Sequence, residues 1–250
     1  MEAFVLAAGL GTRLRPLTND RPKALVAVDG TTLLELAICR VTKAGAKHVV
    51  VNVHHFASTM KAFLLRRSWP IPVDISDESP LLLDTGGALR HARGLFRGQG
   101  PILVYNVDVL STFSIEEMLR KHEQGHALAT LAVSDRETCR KLLFNEEGQL
   151  AGWKNHDNGE EIIVKTANSA VSKNPTLTER AFSGISFVSP RLMSLLPPDD
   201  RPYPAIPEYL RLAEHHRIQA YEHPASQWLD VGKPETLPWA TAFLNRTSQS

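Results

Sequence analysis

The sequence predicts an α/β protein with a doubly wound, mostly parallel (mixed) sheet in a three-layer α/β/α arrangement. Short apolar or β-branched runs alternate with segments of helical periodicity from the N-terminus to Ser134, which is the pattern of consecutive βαβ units. The first apolar run leads directly into a glycine-containing loop, as expected where a strand ends at the ligand-binding edge of such a sheet. The length of 250 residues fits a single domain, 1–250.

The elements of the first half follow from local patterns. Ala3 to Ala8 is an uncharged apolar run followed by glycine, which indicates a short buried strand. A helix follows, with Thr32 as its cap, apolar residues at helical spacing and Gly45 at its end. Strands are also predicted over 48–53, 73–76, 101–106 and 127–134, and helices over 56–67, 86–96 and 115–123.

The pattern loosens after Leu142 into short strands and polar turns. We predict that 142–180 is an insertion lying over the site, with a mobile loop over 167–178. The final segment, 245–250, is predicted to be a disordered tail. Between the insertion and this tail, the patterns predict strands over 181–188 and 218–221 and helices over 206–216 and 234–244.

Composition limits the classes of partner. A net charge of +1 and 22% charged residues give no general reason to expect binding to nucleic acid or to a membrane surface. No apolar run approaches the roughly 20 residues that span a bilayer, and the N-terminus has no signal-type pattern. Two cysteines, Cys39 and Cys139, form no disulfide framework, so we expect a cytoplasmic protein.

The loop after the first strand carries the strongest chemical signal. Gly9 and Gly11 allow a tight turn whose N–H groups face an anion, Arg13 adds a fork of donors, and Pro22 stiffens the segment that presents Lys23. These features suggest a triphosphate site. A Walker A sequence is absent, and Leu14 replaces the third glycine of a dinucleotide-binding fingerprint. A glycine turn without a ligand and an NAD-dependent oxidoreductase remain as alternatives.

The motifs together resemble those of the sugar-1-phosphate nucleotidyltransferases (NDP-sugar pyrophosphorylases). The resemblance rests on Leu6 to Thr18 followed by Pro22 to Leu25, and on three later segments. These segments are Leu83–Ala88, Asn106–Asp108 and Trp228–Gly232, so the resemblance covers nearly the whole chain. It implies the Rossmann-like nucleotidyltransferase fold, an NTP and a sugar 1-phosphate as partners, and 142–180 as the sugar side of the site.

The resemblance also implies roles for individual residues. Arg13 and Lys23 would be catalytic, holding the departing phosphates and stabilising charge at the transferring phosphoryl group. Asp108 and Asp230 would share a Mg²⁺ ion. The implied nucleotide-binding residues are Leu6, Ala8, Gly9, Gly11, Thr12, Arg13, Lys23, Asp84 and Gly87, and the implied sugar-binding residues are Asn106, Gly184 and Lys165.

Two departures from the family pattern concern the approach to the nucleotide and the binding of the acceptor. Val107 stands where glycine is usual in the family. The Glu-Lys-Pro triad that holds sugar and phosphate in hexose-1-phosphate enzymes is also missing, and Lys165 is a candidate substitute for its lysine at a different spacing. The chain resembles most the subfamily that transfers uridylyl to N-acetylmuramate 1-phosphate in peptidoglycan recycling. The expected substrates are therefore UTP with N-acetylmuramate or N-acetylglucosamine 1-phosphate. Guanylyl transfer to mannose or heptose 1-phosphate, cytidylyl transfer to phosphocholine, and a catalytically silent regulatory subunit that binds nucleotide sugar are the alternatives.

A second motif, His122-Glu-Gln-Gly-His126, matches the zincin pattern. Zinc binding by that pattern needs both histidines on one face of an unbroken helix. Gly125 is predicted to end the helix, so we do not expect metalloprotease chemistry here.

Overall fold

The centre of the protein is a mixed ten-stranded sheet in the computed structural model, which describes residues 1–98, 100–165, 176–198 and 201–247. In chain order the strands are β1 Glu2–Leu6, β2 Ala27–Val28, β3 Thr31–Thr32, β4 Val49–Val53, β5 Val73–Asp77, β6 Ile102–Asn106, β7 Val109–Ser111, β8 Ala129–Ser134, β9 Arg140–Phe144, β10 Leu150–Asn155, β11 Glu161–Ile163, β12 Thr178–Val188, β13 Ile218–Glu222 and β14 Trp228–Asp230. Pairs β2–β3 and β7–β14 form two small separate ladders.

Four neighbouring strands, in the order β5-β4-β1-β6, are mutually parallel, so their carboxyl ends share one edge. The long strand β12 runs antiparallel beside β6 and also pairs with β8, to which β13 is parallel. The predicted doubly wound, mixed sheet is therefore confirmed. Strands β9 to β11 extend the same sheet from β12, so the described part of 142–180 belongs to the sheet. Most of the predicted loop at 167–178 lies outside the described residues.

Helices cover both faces of the sheet. They are α1 Leu33–Lys43, α2 Ala57–Arg66, α3 Asp84–His91, α4 Ile115–Gln124, α5 Pro190–Leu195, α6 Ala205–Ala213 and α7 Leu237–Thr247. One core cluster joins α1, α2, α4 and α7 to one face, and a second joins α3, α5 and α6 to the other. Neighbouring residues of β1 enter opposite clusters, Ala3 and Val5 the first and Phe4 the second, as strand geometry requires. This is the predicted three-layer arrangement.

The helix ends show where sequence patterns were sufficient. Thr32 caps α1 with a complete capping box, in which its hydroxyl accepts from Glu35 N and the Glu35 carboxylate accepts from Thr32 N. Helix α7 continues to Thr247, three residues beyond its predicted end at 244, and the disorder of the final segment stays a prediction. This helix packs its apolar residues on the first core cluster and is therefore tied down. Short α5, which Ser189 caps, was not predicted.

Two further observations concern the metalloprotease motif and membrane-spanning helices. Helix α4 ends at Gln124, so His122 and His126 do not share a helical face. His122 is instead buried and hydrogen-bonds through Nδ1 to Thr130 Oγ1 at 2.9 Å. Within the described ranges, no helix has the length and apolarity needed to cross a bilayer.

Candidate active site

The loop after β1 is fixed by a polar side chain from the neighbouring strand. Asn52, buried in β4, accepts through its Oδ1 from Ala7 N at 2.6 Å and from Ala8 N at 3.2 Å. Its Nδ2 donates to Glu78 Oε1 at 2.8 Å, and Glu78 Oε2 accepts from Leu83 N at 3.2 Å. One buried amide thus connects the glycine loop to the segment that begins α3.

Burial raises the pKa of Glu78, although its bonds from Asn52 and Leu83 act in the opposite direction. The backbone oxygen of Glu78 accepts from His54 Nδ1 at 2.7 Å. His54 is therefore a hydrogen-bonded loop residue here. Sequence reasoning did not find Asn52, and the available signal was a single amide inside the β-branched strand β4.

The conformation of the loop depends on Gly11. Its φ is +66°, in the left-handed region that residues with a Cβ rarely adopt, and its carbonyl accepts from Thr18 Oγ1 at 2.8 Å. Leu14 is fully buried and anchors the short 3₁₀ turn Thr12–Leu14 in the core. Arg13, between these fixed points, keeps 52% of its side chain exposed.

Lys23 lies over the same loop. It begins a 3₁₀ turn, Lys23–Leu25, directly after the extended Pro22. A Cβ added at Gly9 would lie 3.4 Å from Lys23 Nζ, which shows how closely the ammonium approaches the glycine. Lys23 Nζ forms an ion pair with Asp108 Oδ2 at 2.9 Å, and only 14% of its side chain is exposed.

The small β7–β14 ladder brings the two predicted metal ligands together. Val109 pairs with Asp230, and Val231 N donates to the Asp108 carbonyl at 2.9 Å. Arg13 bridges the two carboxylates, with Nη1 3.1 Å from Asp230 Oδ2 and Nη2 3.4 Å from Asp108 Oδ2. The structure therefore assembles Arg13, Lys23, Asp108 and Asp230, which we call the charged cluster, although they are far apart in sequence.

Gly232 packs directly against the charged cluster. Its N–H donates to Asp230 Oδ1 at 2.7 Å. A Cβ at this position would lie 2.6 Å from Arg13 Nη2 and 2.7 Å from both Asp108 Oδ2 and Asp230 Oδ1. Those two oxygens are therefore at most 5.4 Å apart, twice 2.7 Å. The Trp228–Gly232 motif contained this glycine, but its role follows only from the geometry.

The donors present fit a hard divalent cation. Mg²⁺ binds carboxylate oxygens at about 2.1 Å and commonly takes one or two protein carboxylates, with water and substrate phosphates completing the octahedron. The described residues contain no group of three or more His, Cys, Asp or Glu side chains that could hold a metal. Asp108 and Asp230, with their neighbouring oxygens, match the two-carboxylate type of site.

The predicted sugar side is partly assembled beside the cluster. Gly184 lies where the pairing of β12 with β8 is irregular and has a φ of +72°. A Cβ there would lie 2.6 Å from Asn106 Nδ2, so the Asn106 amide passes across the glycine. Lys165 is exposed just after β11. Sugar contacts at these three positions stay predictions.

The segment that carries the predicted nucleotide-binding residues Asp84 and Gly87 is covered by residues 201–203, which are remote in sequence. Gly86 N and Gly87 N both donate to Tyr203 O, at 2.9 and 3.2 Å, and a Cβ on Gly87 would lie 2.9 Å from Arg201 O. Gly87 therefore faces the 201–203 segment, and contact with a nucleobase at its N–H requires that segment to move. Asp84 is exposed, with a φ of +58°, and its Oδ1 accepts from Thr85 N at 2.6 Å.

Comparison with known proteins agrees with this geometry. The family model described as nucleotidyl transferase matches residues 2–141. The chain is 34% identical, over 97% of its length and 96% of the relative's, to the N-acetylmuramate alpha-1-phosphate uridylyltransferase of Caulobacter vibrioides. It is 33% identical to mannose-1-phosphate guanylyltransferase catalytic subunit beta of Danio rerio, over 54% of this chain and 38% of that one.

The fold is also found among solved structures. The inositol-1-phosphate CTP transferase from T. maritima aligns with a TM-score of 0.75 at 16% identity, covering 100% of this chain and 96% of that chain. At this identity the likeness concerns the fold, while the family follows from the sequence matches. Members of the family generally use a divalent metal, for which Asp108 and Asp230 are the matching donors. The chain belongs to the nucleotidyl transferase family and is a sugar-1-phosphate nucleotidyltransferase.

Proposed function

We propose that this protein transfers uridylyl from UTP to N-acetylmuramate 1-phosphate and releases pyrophosphate. The observation that carries the proposal is the charged cluster, in which two cations and two carboxylates meet at the end of strands β1 and β6. Both reactants are anions, so the reaction needs charge neutralisation and alignment rather than a covalent nucleophile. We place the reaction in the cytoplasm, where nucleoside triphosphates are available.

Each cation has a defined task in the proposed reaction. Arg13, half exposed at the mouth of the loop, binds the β and γ phosphates that leave as pyrophosphate. Lys23, largely buried over Gly9, neutralises charge on the transferring phosphoryl group. Asp108 and Asp230 would hold a Mg²⁺ ion, which would supply Lewis-acid polarisation of the phosphoryl oxygens.

The four groups neutralise one another before substrate arrives. Arg13 and Lys23 are paired with the same carboxylates that are proposed to bind the metal. Arg13 and Lys23 would therefore leave the carboxylates to bind phosphate oxygens, and Asp108 and Asp230 would then be free to hold a metal ion. The four side chains already converge before substrate binds, which reduces the reorganisation needed for catalysis.

Uridylyl transfer to N-acetylmuramate 1-phosphate is favoured by the relative that aligns over nearly the full length of both chains. N-Acetylglucosamine 1-phosphate is the next acceptor, since it differs only in lacking the lactyl ether. Guanylyl transfer to mannose 1-phosphate is the second candidate, because its relatives align either at 33% identity over 54% of this chain or at 26–28% identity over 94% of it.

A pyrophosphate-release assay with four NTPs and a panel of acceptors tests the proposal. The acceptors are N-acetylmuramate, N-acetylglucosamine, mannose and heptose 1-phosphates and phosphocholine. We expect the highest kcat/KM for UTP with N-acetylmuramate 1-phosphate. A higher value for GTP with mannose 1-phosphate would favour the second candidate, and UTP binding without turnover of any acceptor would contradict the proposal.

A variant pair tests the metal assignment. Asp108→Asn removes one charge from the charged cluster, and we expect turnover to fall at least ~100-fold while UTP still binds. Asp157→Asn is the matched control, because Asp157 lies in an exposed turn. Equal activity of the two variants would exclude Asp108 as a ligand.

A further inference from the structure

Arg136 is a cation beside the charged cluster with no assigned role. Its guanidinium carbon lies 4.3 Å from the centre of the Trp228 ring, and its Nη2 donates to the Phe182 carbonyl at 2.8 Å. Trp228 and Asp230 are two residues apart on β14, so their side chains project from the same face of the strand. Arg136 therefore lies on the face of β14 that carries the candidate metal ligand.

Arg136 is also adjacent to the predicted sugar side. Phe182 lies two residues before Gly184 in the irregular part of β12. The Trp228 indole Nε1 donates to the Ser183 carbonyl at 2.7 Å, which fixes β14 to the same stretch of β12. The guanidinium is thus held between the strand that carries Asp230 and the strand that carries Gly184.

The hydrogen-bonding capacity of Arg136 is only partly filled in the described part of the chain. Its Nε is buried and has no hydrogen-bond partner, and no described carboxylate forms an ion pair with it. Burial lowers the pKa of the guanidinium, and the nearby Asp230 charge acts in the opposite direction. Partly buried cations are normally paired, so a cation in this state is suited to receive an anion.

The position of Arg136 indicates which anion. Arg13 and Lys23 already converge on the carboxylates where the reacting phosphates are proposed to bind. Arg136 contacts Trp228, which is one strand repeat, about 7 Å, from Asp230 and in the direction of Phe182. An acceptor whose 1-phosphate lies at the charged cluster extends its sugar ring and ring substituents across this distance.

We propose that Arg136 binds a carboxylate carried by the acceptor sugar and thereby selects acidic sugar 1-phosphates over neutral ones. This inference rests on the proposed function, since N-acetylmuramate differs from N-acetylglucosamine by a lactyl ether that ends in a carboxylate. A planar guanidinium offers two parallel donors to a carboxylate, and Trp228 holds its plane in place. Selectivity then arises because a neutral sugar leaves the cation unpaired.

The test compares the two acceptors in wild type and in Arg136→Gln, at saturating UTP. A hydrogen bond to a charged group contributes roughly 1.5–3 kcal/mol, so we expect KM for N-acetylmuramate 1-phosphate to rise about 10- to 100-fold. We expect KM for N-acetylglucosamine 1-phosphate to change less than about threefold, and KM for UTP, measured separately at saturating acceptor, to change as little. Arg136→Lys keeps the charge but not the fork, so it restores only part of the affinity.

Arg140→Gln is the matched control, because Arg140 is an exposed arginine at the start of β9. Thermal melting of all variants separates folding from binding. Equal loss with both acceptors, or no loss with either, would overturn the proposal, whereas loss confined to the acidic acceptor supports it.

Failure of the proposed function gives a different result, namely wild-type protein that does not use N-acetylmuramate 1-phosphate. In that case glucuronate and glucose 1-phosphates, with whichever NTP reacts, provide the same acidic and neutral pair for the Arg136 test.

Discussion

Gly232→Ala tests whether the charged cluster depends on the space beside this glycine. An added methyl carbon would lie 2.7 Å from Asp108 Oδ2 and Asp230 Oδ1 and 2.6 Å from Arg13 Nη2. Ordinary contacts of a Cβ begin at 3.4 Å, so each carboxylate oxygen must move about 0.7 Å, the difference between 3.4 and 2.7 Å. The φ of Gly232 is not positive, so alanine adds no backbone strain and the effect acts on the side chains alone.

A misplacement of about 1 Å at reacting groups costs on the order of 100-fold in rate. We therefore expect kcat/KM of Gly232→Ala to fall by about 100-fold, equivalent to ~2.7 kcal/mol at the transition state. The assay is steady-state pyrophosphate release, with thermal melting to show that the fold is retained. Gly94→Ala is the control, since an added methyl at Gly94 meets no atom within 4 Å. A Gly232→Ala protein with wild-type kcat/KM would refute the reasoning.

Three further predictions concern the loop, a buried histidine and the metal. Asn52→Ala leaves Ala7 N and Ala8 N without their acceptor, so we expect a loss of roughly 2–4 kcal/mol in free energy of unfolding by urea titration and a higher KM for UTP. Burial lowers the pKa of His122 to about 4 from its ordinary 6.5, so the unfolded chain binds the proton first as pH falls. The free energy of unfolding then decreases by up to roughly 3 kcal/mol between pH 6.5 and 4, and His122→Gln removes most of this slope in urea titrations across that range. Chelation with EDTA abolishes pyrophosphate release and added Mg²⁺ restores it, whereas activity that persists in EDTA would exclude the metal assignment.

Much of the fold could be predicted because its signals are local. The β-branched run of β4 and the Thr32 cap of α1 lie within short segments, and both were assigned correctly, although the capping box that Glu35 completes was not predicted. The pairing of β9 to β11 with the central sheet depends on contacts with β12 that are remote in sequence. Helix α7 likewise packs against the first core cluster through contacts that are remote in sequence, and it extends to Thr247, beyond its predicted end at 244.

The residues of the site also divide into those that could be predicted from local sequence and those that could not. Charged residues within recognisable motifs, such as Arg13 and Lys23, were identified because their chemistry is visible in the sequence. Asn52, Gly232 and Arg136 have ordinary sequence surroundings, and their importance comes from what folding places next to them. A buried amide, a glycine without space for a methyl group and a cation with no carboxylate partner among the described residues are recognised by distance and burial rather than by spacing along the chain.

The β7–β14 ladder explains how the four charges meet. Parallel pairing of β1 with β6 places the loop of Arg13 and the strand end before Asp108 at one edge, which strand order alone predicts. Asp230 is positioned differently, by the three residue pairs between β14 and β7 and by the hydrogen bond that Val231 N donates to the Asp108 carbonyl. The second carboxylate is therefore held by backbone pairing to the first, so any change that weakens this short ladder acts on both ligands at once. The separation of the two carboxylates is thus a property of the backbone, which a side-chain motif cannot specify by itself.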